Sequence, residues 1–190
     1  MQFTEVEHKY VVGDRFDRDD FARRVEALGP GRRSTLRVRD RYFLTEDGRR
    51  HGYILRHRHD LELHELTLKS FADDARVRQE VNLALAPIDQ DRTVDAFVAA
   101  LRPVWHGALW KDLDVWYFPD CEVVHYVATA DGRRLACVEF EATGQSSVHD
   151  ALAVVARYEA ATGFSGAVRE IASLPALLWP GVLPGRRLDA

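Results

Sequence analysis

Hydrophobic and polar residues alternate along most of the chain, and this period of two predicts β-strands. Turn-forming pairs such as Asp47-Gly48, Pro119-Asp120 and Asp131-Gly132 separate the alternating segments. The short connections indicate mainly antiparallel neighbours. Eight strands are predicted, at about 2–12, 34–44, 52–59, 62–70, 76–86, 104–118, 121–129 and 134–142.

Four other segments show the spacing of amphipathic helices, with apolar residues three or four positions apart. Asp17 and Ser147 are suitable N-caps for the first and third of them. We expect a single domain over 1–180 and a loose, Pro- and Gly-rich tail over 181–190. The helices are predicted at about 17–28, 90–101, 147–161 and 167–178.

Charged residues occupy one face of most predicted strands, because side chains alternate between the two faces of a strand. On any single strand, the simplest interpretation of such a face is exposure to solvent. When neighbouring strands all carry one, closing the sheet would line a polar lumen with them and turn the apolar faces outward beneath the helices. The predicted fold is therefore α+β, a closed eight-stranded antiparallel β-barrel with flanking helices. A lumen of mixed charge calls for water, a metal ion and an anion.

The composition is that of an ordinary soluble protein, with 46% hydrophobic and 29% charged residues among 190. A net charge of −4 argues against a general nucleic-acid binder. No apolar run is long enough to cross a membrane, and the first residues lack a secretion signal, so we expect a cytoplasmic protein. Cys121 and Cys137 are interpreted as buried, reduced thiols. A homodimer is left open.

Six short motifs follow one another in order over residues 3–142. Together they resemble the CYTH family, also called triphosphate tunnel metalloenzymes, which includes thiamine triphosphatases, inorganic triphosphatases and class IV adenylate cyclases. The ordered set is far more specific than any one motif. The motifs are Glu5-x-Glu7-x-Lys9, Asp40-x-Tyr42-Phe43, Leu55-Arg56-His57-Arg58, Leu66-Thr67-Leu68-Lys69, Arg78-x-Glu80 and Val138-Glu139-Phe140-Glu141.

The resemblance implies an eight-stranded tunnel that binds a triphosphate and Mg²⁺ or Mn²⁺. The implied metal ligands are Glu5, Glu7, Glu139 and Glu141. The implied phosphate-binding residues are Lys9, Arg56, Arg58, Lys69, Arg78 and Lys111. Among these, Lys9 and Arg56 would stabilise charge that develops during the reaction. Glu80 would bind a second metal or orient the attacking water.

The chain departs from the family pattern at three points. Asn82 replaces the second Glu of the RxExE strand, and Leu113 leaves the KxR motif with Lys111 alone. Arg157 or Arg169 could supply the missing phosphate contact. The acidic residue of the seventh strand has no clear counterpart. Glu122, His125 and Asp114 are open candidates for it.

The sequence thus predicts a metal-dependent hydrolase of phosphoanhydride bonds, acting on inorganic triphosphate or on an organic triphosphate. A class IV adenylate cyclase is one alternative, and a non-catalytic binder of polyphosphorylated ligands is another. His57, His59 and His64 lack the spacing of a strong transition-metal site and are interpreted as surface or hydrogen-bonded residues.

Overall fold

The computed structural model describes residues 4–70, 78–86 and 90–183, and for Thr4, Glu5 and Arg78 it describes the backbone only. Eight strands and five helices lie within these ranges. The strands are β1 (Thr4–Val12), β2 (Arg32–Leu44), β3 (Tyr53–His59), β4 (His64–Ser70), β5 (Arg78–Ala84), β6 (Trp105–Tyr117), β7 (Cys121–Ala130) and β8 (Arg133–Ala142). The helices are α1 (Arg18–Glu26), α2 (Glu46–His51), α3 (Asp91–Ala100), α4 (Val148–Thr162) and α5 (Leu174–Leu178).

The strands form one antiparallel barrel in the order β1-β5-β4-β3-β2-β6-β7-β8. The long β2–β6 ladder runs from the Arg32–Tyr117 pair to the Leu44–Trp105 pair. Closure depends on a short seam, since β1 and β5 pair only through Thr4–Gln79 and Glu5–Arg78 in the described part of the chain. The predicted eight-stranded antiparallel α+β architecture is confirmed.

Two helical predictions need correction. The predicted helix over 167–178 is wrong in its first half, because only Leu174–Leu178 is helical, capped by Ser173 with Pro175 in its first turn. The segment before it instead forms a β-bridge from Glu170 to Lys9. Helix α2 was not predicted; Thr45 caps its start and Gly52 ends it in the left-handed conformation, with φ of 74°.

The buried apolar side chains of the described residues form three clusters, and the smallest, Leu66, Val94 and Val98, lies between α3 and the sheet. Under α1 and α4, the outward faces of β1, β6, β7 and β8 form one core around Phe21, Trp116 and Phe140. The expectation that apolar faces turn outward is therefore right for this side. A second core fills part of the barrel interior, where Leu109 and Tyr126 pack with α5 and Trp179. The interior is consequently only partly polar.

The C-terminal segment belongs to this interior core as far as Leu183, whose exposed fraction is 7%. Val182 also packs against the core, two residues beyond the predicted end of the domain. The remainder of the predicted tail, 184–190, lies outside the described residues. Cys121 and Cys137 are buried free thiols, as predicted. No helix in the described ranges has both the length and the apolar character that a membrane span requires.

Candidate functional site

A cavity of about 330 Å³ lies inside the barrel. Its lining combines both signs of charge, as the alternating faces of the strands predicted. The described cationic side chains in the lining are Lys9, Arg56, Arg58, Lys69 and Lys111. The described acidic ones are Glu7, Asp60, Glu62, Glu65, Glu80, Glu122, Glu139 and Glu141. Because acids outnumber bases here, an additional cation would balance the cavity.

Three glutamates form a row across adjacent strands. Glu141 is the register partner of Glu7 on β1 and of Glu122 on β7. Burial, followed by the nearby charge of Glu7, raises the pKa of Glu141 to about 8, although Lys69 opposes the shift. Carboxylates held face to face in this way favour a divalent cation bound between them.

Lys9 connects this row to the rest of the lumen. Its side chain is 2% exposed, and its Nζ lies 3.6 Å from Oε1 of Glu7 and 3.6 Å from Oε1 of Glu139. Glu139 also accepts a hydrogen bond of 2.6 Å from the hydroxyl of Tyr126. Nζ of Lys9 is 3.4 Å from the carbonyl of Ala172, which ties the C-terminal segment to the cavity.

A second cluster of charges lies on β3, β4 and β5. Arg56 donates from one terminal nitrogen to Glu65 at 2.6 Å and to the hydroxyl of Thr67 at 3.1 Å. Lys69 lies 2.6 Å from Glu80. Nε of Arg56 is buried and has no hydrogen-bond partner among the described residues. A buried donor of this kind costs free energy unless an acceptor is supplied, so this atom points to an anionic ligand.

Asp40 holds the next pair of cations in place. It is fully buried, accepts from Arg58 at 2.6 and 2.8 Å, and lies 3.3 Å from Nζ of Lys111. Burial alone would raise the pKa of Asp40, but Arg58 and Lys111 outweigh it and lower the pKa below its usual range. Sequence reasoning placed Asp40 in a motif and gave it no role. The available signal was a single acid between Val38 and Tyr42 on the otherwise apolar face of β2.

The structure brings together most of the side chains predicted from the sequence. The residues that line the cavity as predicted are Glu7, Lys9, Arg56, Arg58, Lys69, Glu80, Lys111, Glu139 and Glu141. The side chains of Glu5 and Arg78 lie outside the described atoms, although their backbones pair with each other across the seam. Asn82 also lines the cavity and accepts a hydrogen bond of 2.7 Å from Thr67.

The structure places the three open candidates for the acidic residue of the seventh strand at two different sites. Glu122 lines the lumen, whereas Asp114 and His125 border a different depression, on the outside of the barrel, where Asp114 accepts from Arg18 and Arg33. Neither C-terminal arginine lines the cavity. Arg157 pairs with Asp120 at 2.5 Å, and Arg169 contacts His8 at 2.6 Å.

The residues present fit a hard divalent cation. Glu7, Glu139 and Glu141 offer carboxylate oxygens from two adjacent strands, and burial together with the charge of Glu7 raises the pKa of Glu141. Oxygen donors of this kind suit Mg²⁺ and Mn²⁺ rather than zinc.

No family model and no curated protein matches this chain by sequence. Solved structures do match it. The PH1012 protein from Pyrococcus horikoshii has a TM-score of 0.70 and 17% identity, over 89% of this chain and 96% of that one. An adenylate cyclase candidate from Bacillus halodurans has a TM-score of 0.62 and 18% identity, over 94% and 98%. This chain shares their fold.

A third structure with this fold is HpAC1 from Hippeastrum, an adenylyl cyclase candidate whose dominant activity is that of a triphosphatase. Its TM-score is 0.55 and its identity is 14%, over 92% of this chain and 94% of that one. The resemblance deduced from the motifs is thus confirmed at the level of the fold. A shared fold does not assign roles to individual residues, so these roles are inferred from the side chains that line the lumen.

Outside the lumen, three histidines meet near the start of α3. Two N–H groups of Arg41 lie 2.8 and 3.2 Å from Nδ1 of His57, so that nitrogen is assigned as an acceptor. Nε2 of His57 then donates to Nε2 of His64 at 3.1 Å, and Nδ1 of His64 donates to the carbonyl of Ala86 at 2.8 Å. With Asp91, these rings could approach one metal ion. The guanidinium of Arg41 opposes that, and the hydrogen-bonded interpretation accounts for the geometry.

Proposed function

We propose that the protein is a divalent-metal-dependent phosphohydrolase that cleaves a phosphoanhydride bond of a triphosphate held in the barrel. The observation that carries this proposal is the pairing of two opposed sites in one cavity. The glutamates of β1 and β8 offer oxygen ligands for a cation, and the buried Nε–H of Arg56 finds no acceptor among the described residues. The triphosphatase activity named for HpAC1, which has the same fold, supports the same conclusion.

In this proposal Glu7, Glu139 and Glu141, together with Glu5, bind Mg²⁺ or Mn²⁺. A bound ion of this kind polarises phosphate oxygens and balances the charge of the ligand. Lys9 lies 3.6 Å from two of the glutamates, so its ammonium group can contact a phosphate that also meets the cation. Its burial keeps that charge close to the reacting atoms and strengthens its effect.

The remaining cations hold the phosphate chain. Arg56 and Arg58 provide planar, forked donors, and Lys69 and Lys111 provide further positive charge. The family resemblance would add Arg78 to this set. Asp40 fixes Arg58 and Lys111 through its two oxygens, so both are positioned before the ligand arrives. Stabilisation of charge by fixed groups accounts for most of the catalysis expected in phosphoryl transfer.

Glu80 is the best-placed group to orient the attacking water. It lies between Lys69 and Arg56, at 2.6 and 3.5 Å from their nitrogens. A carboxylate flanked by phosphate-binding cations can accept a hydrogen bond from water beside the terminal phosphorus. Asn82, on the same face of β5, is an amide and cannot take a proton.

Asn82 favours one rival function, a binder of polyphosphorylated ligands without turnover. Its side-chain oxygen already accepts from Thr67, so the position serves the hydrogen-bond network of the lumen in the way a structural residue does. The rival predicts tight binding of a triphosphate in the presence of Mg²⁺ or Mn²⁺ and no release of phosphate. A cyclase would release pyrophosphate from ATP instead.

The test is a phosphate-release panel over inorganic, thiamine and nucleoside triphosphates, with Mg²⁺ and with Mn²⁺. The wild-type protein should release phosphate only with a divalent cation. Lys69→Met, which removes a lumen charge, should lower kcat/KM by about 100-fold or more. Arg37→Met removes a charge that is 66% exposed outside the barrel, and it should leave the rate unchanged. Equal rates in both variants would contradict the proposal.

A further inference from the structure

The two walls of the cavity differ in chemistry. The charged side chains come mainly from β1, β3, β4, β5 and β8. The opposite wall, formed by β2, β6 and β7, presents mostly carbon. Its lining residues include Leu36, Leu113, Val115, Tyr117 and Val124. We call these five residues the apolar wall.

The phosphate groups of a triphosphate would gain no binding free energy from contact with the apolar wall. Inorganic triphosphate has only charged and polar oxygens on its surface, and placing them against buried carbon removes water without replacing its hydrogen bonds. Leu113 stands where the family resemblance would place a basic residue, so the wall presents a hydrocarbon side chain at this position. An apolar ligand surface would instead gain free energy there.

The outer part of the apolar wall remains partly open. Leu36, Tyr117 and Val124 are only half-buried, whereas Leu113 and Val115 are 8% and 5% exposed. Tyr117 is held in place by a hydrogen bond of 3.1 Å from its hydroxyl to Glu62, and by Arg32, which lies 3.8 Å from the ring centre. Its ring therefore forms a fixed surface on which a flat group could pack.

Two acids set the direction in which a ligand enters. Glu62 and Glu122 line the cavity beside Tyr117, and Glu122 is the register partner of that residue. Arg32 offsets the charge of Glu62, since its terminal nitrogens lie 3.1 and 3.4 Å from that carboxylate, so these groups together carry no net positive charge that would attract phosphate. The phosphate chain is therefore directed towards Arg56 and Lys69, and the part of the ligand beside Tyr117 is uncharged or cationic.

We propose that the ligand is an organic triphosphate whose non-phosphate group packs against Leu36, Tyr117 and Val124, and that inorganic triphosphate is the poorer ligand. This inference rests on the proposed function, because it specifies the substrate of the same site. It assigns the selection of the head group to the apolar wall and the binding of phosphate to the charged wall.

The test compares two substitutions of similar shape on one strand. Val124→Thr places a hydroxyl in the apolar wall, and Val127→Thr makes the same change on the outer face of β7. Thiamine triphosphate, ATP and inorganic triphosphate are used as probes with Mg²⁺ or Mn²⁺. For at least one organic probe, the wild-type kcat/KM should exceed that for inorganic triphosphate by about tenfold or more. Val124→Thr should lower that value about five- to tenfold and leave inorganic triphosphate within about twofold. Val127→Thr should change neither.

A third variant is expected to reverse the preference for organic over inorganic triphosphate. Leu113→Arg adds a cation to the apolar wall and should raise kcat/KM for inorganic triphosphate while lowering it for the organic probe. Hydrolysis of inorganic triphosphate as fast as every organic probe would overturn the inference and leave the proposed function intact. Equal losses on both probes in Val124→Thr would do the same.

If no probe is hydrolysed, binding measurements still distinguish the inference about the head group from the proposed function. Calorimetry with Ca²⁺ measures the affinity for each probe directly. If an organic triphosphate binds more tightly than inorganic triphosphate, loses affinity in Val124→Thr and releases no phosphate, the inference holds and the proposed function fails. If no probe binds, both are overturned.

Discussion

Around Leu109 the interior of the barrel is filled by apolar side chains, whereas around Arg56 it is filled by charges that bond to one another. Both regions come from the inward faces of the same sheet, and both are buried. The apolar region gains free energy by removing carbon from water. The charged region gains little in this way, because taking ions out of water costs nearly as much as their pairing returns.

This difference indicates that the apolar region around Leu109 is built for stability and the charged region for binding phosphate. A charged cluster that contributes little to folding must be held in place by the structure around it. Asp40 links the two regions, since Val38 and Tyr42, its neighbours on the inward face of β2, belong to the apolar core while its carboxylate holds Arg58 and Lys111. The predictions below test this division of roles.

The largest effect is expected from Asp40→Asn. The substitution leaves Arg58 and Lys111 buried beside a neutral amide, and breaking a buried ion pair on one side costs about 3–5 kcal/mol. Urea denaturation should show this loss in the free energy of unfolding. Asp112→Asn is the matched control, because Asp112 is 62% exposed and pairs with an exposed arginine. Its cost should be below about 0.5 kcal/mol, and equal costs in the two variants would sink the assignment of Asp40 as an anchor.

Next in size is Leu109→Ala, in the apolar region. Leu109 is fully buried, so the change should lower the free energy of unfolding by about 2–5 kcal/mol through lost burial and a residual cavity. Leu61→Ala, at a side chain that is 97% exposed, should cost almost nothing.

The same variant tests whether the two regions are separate. Leu109→Ala should leave triphosphate affinity, measured by calorimetry below the unfolding transition, within about twofold, since it removes no charge from the lumen. A large loss of affinity in a folded Leu109→Ala protein would show that packing and ligand binding are not divided in this way.

The sequence predicted much of the charged region because its residues alternate. The spacing of Glu7 and Lys9, or of Arg56 and Arg58, places each pair on one face of a strand whatever the rest of the sheet does. Alternation does not state which face turns inward, however. Leu109 and Leu113 alternate just as regularly, so the apolar filling of the interior could not be predicted from β6 alone.

The sequence pattern did not reveal helix α2, the short length of helix α5 or the role of Asp40. Helix α2 depends on the hydrogen bond that the N–H of Gly48 donates to the hydroxyl of Thr45, and on the left-handed conformation of Gly52. The segment has no apolar periodicity. Helix α5 covers only five residues, although apolar residues on both sides of it continue the helical spacing. The role of Asp40 depends on two cations that reach it from β3 and β6, which are distant in the chain.

The smallest effect is expected from His57, a buried imidazole in the histidine cluster beneath α3. Burial, followed by the charge of Arg41, lowers the pKa of His57 to about 4. Between that value and the ordinary pKa of about 6.5, the unfolded chain binds more protons at this residue than the folded protein does. Stability contributed by His57 is therefore complete above about pH 6.5 and is lost as the pH falls towards 4.

The measurement is the free energy of unfolding of wild-type and His57→Gln proteins from pH 7 to pH 4. The variant has no titrating ring at this position, so its stability should fall less over this range than that of the wild type, by up to about 3 kcal/mol. His51→Gln, on the exposed end of α2, is the control and should follow the wild-type curve. Parallel curves for the wild type and His57→Gln would show that the buried imidazole is protonated in the folded protein. The cluster would then be charged like the lumen, and the contrast between charged and neutral buried groups would not hold.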